Sequence, residues 1–103
     1  MDALAPQEQP RKQNNVQVKA KDEVIAGSYA NVVQISHTKE EFLLDFMSIF
    51  PPVGTLNDRV IVSPGHLKRM IRALQENVIK YEKQHGPIAE AEGPKFEHGF
   101  PVR

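Results

Sequence analysis

Cysteine is absent from this chain of 103 residues. That removes disulfides, thiolate nucleophiles and cysteine metal sites, and leaves the redox compartment open. A charge excess is also missing. Thirteen Lys and Arg balance thirteen Asp and Glu, so net charge gives no pointer to nucleic acid, a membrane surface or a charged substrate. No apolar run approaches the ~20 residues that cross a bilayer. The opening MDALAPQEQPRKQNN has an early acid and no apolar core of the kind a secretory signal carries. A cytoplasmic protein without membrane contact is therefore expected.

Catalytic motifs are just as sparse. There is no Gly-x-Ser-x-Gly elbow and no phosphate-cradling glycine loop. The histidines, His37, His66, His85 and His98, show neither i, i+4 helical spacing nor the compact spacing of a metal site. His85 fits a cation at a helix C-terminus, where the dipole favours it. Glu40, Glu41 and Asp45 read as a turn and a solvent-facing strand residue, because no polar cluster beside them promises a pocket that would shift a carboxylate pKa. Ser63, followed by Pro64, reads as a helix cap rather than a nucleophile. No enzyme, cofactor or metal is expected.

What the sequence does contain is one small domain between two tails. Residues 1–14 are rich in Gln, Asn, Pro and charge without apolar periodicity, and are expected to be a disordered tail. Residues 87–103 form a second tail. From Gly86 on, three Pro and three Gly fall within eighteen residues, although Ile88, Phe96, Phe100 and Val102 are oddly apolar for a solubilising segment. The ordered domain is expected over 15–86.

Within it, Val16 to Ala20 alternates weakly and predicts a short edge strand, with Lys19 and Lys21 pointing away. Ser28 to Ser36, after Gly27, is β-branched and aromatic. It predicts a strand with Tyr29, Asn31, Val33 and Ile35 on one face and Ala30 and Val32 on the other. Thr38 to Phe50 allows two readings. As a helix it has a Thr38–Glu41 capping box and a stripe through Phe42, Leu43, Phe46, Ile49 and Phe50. As a strand it directs Phe42, Leu44 and Phe46 inward and Leu43, Asp45 and Met47 outward. The strand is preferred, even though its hairpin turn HTKE lacks the usual Gly or Asn. Pro51 and Pro52 end either element.

After a GTLND loop, Asp58 to Ser63 predicts a short apolar strand that runs directly into a helix. Ser63 caps that helix, Pro64 suits its first turn, and Gly86 with Pro87 closes it. Leu67, Met70, Ile71, Leu74, Val78 and Tyr81 form its apolar stripe. The expected architecture is α+β: a small antiparallel sheet of three to four strands with one C-terminal amphipathic helix packed on one face.

Both faces of that sheet carry apolar residues. Val32, Leu43, Met47 and Ile61 have no counterpart in a two-layer monomer, which makes them the candidate partner surface. The segments YANVV, EEFLLDF and SPGHLKRMIRALQENVIKYE, spread over most of residues 17–86, resemble a family of small bacterial proteins known only as a domain of unknown function (number 3467). The resemblance implies a compact bacterial cytoplasmic protein, and it carries over no activity and no catalytic residues.

The expected function is a non-enzymatic protein-interaction module whose partner is a second copy, as a homodimer, or another protein. The alternative is weak nucleic-acid binding. Lys68, Arg69 and Arg72 crowd one helix segment, and the helix has five cations against Glu76 and Glu82. A neutral chain with few aromatics sets this second.

Overall fold

The computed structural model describes residues 15–94. Five elements follow in order: α1 (Asp22–Ala26), β1 (Val32–His37), β2 (Phe42–Phe50), β3 (Val53–Val62) and α2 (Pro64–His85). The strands form one antiparallel sheet in the order β1-β2-β3, and with the C-terminal helix the chain is an α+β protein.

β2 is central because its sequence suits burial on both sides. Alternate residues of a strand face opposite ways. Phe42, Leu44 and Phe46 therefore populate one face of FLLDFMSIF, and Leu43, Met47 and Ile49 the other. The register extends this to the neighbours. Val33 and Ile35 of β1 and Val60 and Val62 of β3 share the face of Leu44, while Val32, Arg59 and Ile61 share the face of Asp45. The core sits on β2, where Leu44, Met47 and Ile49 are buried. Ile49 also lies over Gly54, where an added Cβ would come within 2.7 Å of the Ile49 Cδ1.

The strand preferred for Thr38 to Phe50 is the one formed. Its turn needs no glycine because the Thr38 side chain organises it: Oγ1 accepts from the Glu40 and Glu41 N–H groups at 3.2 and 3.3 Å. The Thr38 N–H donates to the Glu41 carbonyl at 2.9 Å, closing the loop. At the other end Phe50 pairs with Val53 across Pro51 and Pro52, whose peptide bond is cis.

Three expectations are corrected. Residues 16–20 form no strand, and Val16 and Val18 are exposed. A weak alternation with no paired neighbour has nothing to complete its ladder, and the chain instead makes the single turn of α1, whose Val24 and Ile25 N–H groups donate to the Lys21 carbonyl. The sheet consequently has three strands, the lower of the three to four expected. Second, GTLND is no loop. β3 starts at Val53 and carries those residues as strand, with an irregularity opposite Phe46 and Met47 that absorbs Asn57.

The third correction concerns packing. α2 has the span and caps expected: Ser63 Oγ accepts from the His66 N–H at 3.2 Å, and the Gly86 N–H, at φ 91°, donates to the Glu82 carbonyl. It is not laid down on the sheet, however, and none of its residues is buried. Leu67 and Met70 are half-buried, while Ile71, Leu74, Val78 and Tyr81 remain 44–57% exposed. The physical reason lies at the joint. β3 is an edge strand, and only Ser63 separates its last residue from the first of α2. Strand–helix connections usually take 2–6 residues, and here a single residue joins the two elements.

Candidate functional site

Two regions gather side chains beyond what the sheet alone requires. The first is the end of the sheet near the cis-proline turn. The Tyr29 carbonyl accepts from Ser48 Oγ at 2.9 Å and from Asn57 Nδ2 at 2.6 Å. The same Asn57 amide reaches Ser48 Oγ at 2.9 Å. The irregularity in β3 thus places Asn57 across the strands, where it ties the segment before β1 to the sheet.

Asn31 works beside it. Its Nδ2 donates to the Ile49 carbonyl at 3.0 Å and its Oδ1 accepts from the Ile49 N–H at 2.8 Å, so one side-chain amide reproduces a strand pairing. The rings of Tyr29 and Phe50 stack with centroids 6.4 Å apart. Above them lies an open groove of about 530 Å³, with Tyr29, Asn31, Ile49, Phe50 and Pro51 on one side and residues 91–94 on the other. The chain after α2 therefore returns to this end of the sheet. The groove is mainly apolar, and the Asn31 amide lining it is already paired.

The second region is the centre of the Asp45 face. Asp45 is not solvent-facing, as its sequence setting implied, but buried at 3% exposure. Arg59, its register partner on β3, grips the carboxylate in two-pronged fashion: Nε to Oδ1 at 2.6 Å and Nη2 to Oδ2 at 2.9 Å. Hydrogen bonds from Arg59 hold the Asp45 carboxyl below its ordinary value, aided by the guanidinium charge and opposed by burial. The pair satisfies itself in the middle of an apolar face. The fork takes up two of the guanidinium N–H groups and both carboxylate oxygens. The sequence held a usable signal: Asp45 is the only charge in β2, and β3 has one cation to meet it.

The candidate partner residues Val32, Leu43, Met47 and Ile61 do fall on one face, as Val32 pairs with Met47 and Leu43 with Ile61. Their exposure is unequal. Met47 is 3% exposed, Val32 and Leu43 are half-buried, and only Ile61, at 54%, is open. The more open apolar surface is the opposite one, where Val33, Ile35 and Val60 are 43–54% exposed and Phe50 and Val53 more so.

Lys68, Arg69 and Arg72 are all exposed on the first turns of α2. Arg69 Nη2 lies 3.0 Å from His66 Nδ1, and the first turn contains no acid. The histidines do not converge: His37 ends β1 against Phe42, His66 opens α2, His85 ends it against Tyr81, and His98 lies outside the described residues. Among the described residues no three of His, Asp and Glu are grouped to hold a metal ion, and no helix is long and apolar enough to cross a membrane. The two tails, apart from residues 87–94, also lie outside the described residues, with Phe96, Phe100 and Val102.

These features define a small α+β protein with a self-satisfied polar centre and uncovered apolar surface on both sheet and helix. The chain belongs to the family described as Protein of unknown function (DUF3467), whose model matches residues 3–90. No curated protein and no solved structure matches it.

Proposed function

We propose that this protein is a non-enzymatic, cytoplasmic interaction module that self-associates as a homodimer. The observation that carries the reading is the paired exposure of two apolar surfaces, the Val33–Ile35–Val60 patch and the α2 stripe. Burying a Leu- or Val-sized side chain is worth up to roughly 2 kcal/mol, and a solitary chain forgoes much of that at each position. A second copy offers both surfaces at once. Light scattering on the full chain across a concentration series tests this: a mass of two chains is expected, and a single-chain mass throughout would overturn it.

A second reading rests on Lys68, Arg69 and Arg72, which stand exposed in the N-terminal half of α2, whose first turn carries no acid. They are suited to phosphate contacts with a nucleic acid. Three such contacts would weaken binding about 40-fold between 50 and 200 mM salt. R69E/R72E would abolish binding to a duplex DNA probe if this reading holds, and unchanged binding would end it.

A further inference from the structure

We infer that the dimer is built by exchange of helices, with α2 of each copy lying across the Leu44 face of the other's sheet. The inference rests on the homodimer reading and adds which surfaces meet. Four features support it.

The Asp45 face is already closed along its centre, since Asp45, Met47 and Ile49 are all buried. The centre of the Leu44 face is closed as well, with Leu44 buried and Phe42 and Phe46 half-buried, but its flanks are open: Val33 and Ile35 on one side of Leu44 and Val60 on the other are all exposed. A helix laid along β2 would cover both flanks. The lengths also agree: twenty-two residues of α2 make about 33 Å, and the nine residues of β2 span about 30 Å.

The helix does not supply this cover within its own chain. It leaves an edge strand through Ser63 alone, and its stripe stays open from Ile71 to Tyr81. The stripe from Ile71 to Tyr81 and the flanks of the Leu44 face both stay exposed within one chain. Exchange between two copies satisfies both under a single two-fold axis.

Charge points the same way. α2 has Lys68, Arg69, Arg72, Lys80 and Lys83 against Glu76 and Glu82, a net +3. Residues 15–63 have Lys19, Lys21, Lys39 and Arg59 against six acids, a net −2. The neutral total conceals a positive helix and a negative sheet unit, and opposite signs steer the helix of one copy toward the sheet of another.

The absence of cysteine gives a clean test. Two differently tagged full chains, I35C and L74C, are mixed, unfolded and refolded together, then treated with a short bis-maleimide. A covalent heterodimer between the two tags is expected, well above that formed when I61C, on the Asp45 face, replaces I35C. If light scattering shows a dimer but L74C links to I61C, or I35C links only to itself, the homodimer stands and helix exchange is overturned. If the chain is monomeric, both fall. L74E, exposed on a helix that should keep its circular dichroism, is expected to raise the dimer Kd at least about tenfold. An unchanged Kd in L74E would overturn the exchange.

Discussion

Asp45 shows how a charge can sit in the middle of an apolar strand. Its carboxylate is held by both arms of Arg59, and its pKa is lowered by those hydrogen bonds. A depressed carboxyl pKa contributes stability that is fully present above the unfolded value of about 4 and is lost as pH falls through the folded value. D45N should therefore be less stable at neutral pH and lose part of the wild-type dependence on pH below about 4, read as Tm against pH. R59K keeps the charge but not the fork, and should fall between the two. Asn31 is the second decisive residue. N31D would keep the acceptor for the Ile49 N–H but set a carboxylate oxygen against the Ile49 carbonyl. A loss of about 1–3 kcal/mol is expected in denaturant unfolding, deepening as pH rises. Neither role was visible along the chain. An Asp among apolar residues reads as an outward-facing position until the register brings Arg59 opposite, and a single Asn carries no mark of the strand end it will complete.

Among the elements, legibility followed local self-sufficiency. α2 was readable in full because Ser63, Pro64 and Gly86 punctuate it without help from elsewhere. β2 was readable through its apolar content, although its turn depended on the Thr38 hydroxyl rather than on a glycine. The misreadings fell where partners decide. Val16 to Ala20 had strand-like alternation and no strand to pair with, whereas Gly54 to Asp58 had turn-like composition and pairs with β2 at every residue but Asn57. The two apolar faces were sorted correctly from alternation, but not which of them would be open, because that depends on where α2 travels. The caps can be checked directly. S63A removes the bond to the His66 N–H and should cost about 1 kcal/mol in thermal or denaturant unfolding. G86A, at φ 91° and ψ 172°, where essentially only glycine is at ease, should cost about 1–3 kcal/mol.

For the whole molecule, the separation of charge makes salt a probe of assembly. Screening weakens attraction between exposed charges once the Debye length drops below about 10 Å, while apolar burial is unaffected. A helix-exchanged dimer should loosen only a few-fold between 50 and 500 mM salt, far less than phosphate binding would, as read by sedimentation. The single residue between β3 and α2 has a wider meaning. In a helix-exchanged dimer, a tether this short would make the number of chains in the folded unit a function of linker length, much as the reach of a hinge decides whether a door closes on its own frame. Inserting Gly-Ser-Gly-Ser between Val62 and Ser63 leaves every stripe, cap and strand pair unchanged and supplies only slack. Light scattering on that variant should give the mass of one chain, its helix folded onto its own sheet. The same residues would then make a monomer or a dimer according to four neutral residues that touch nothing.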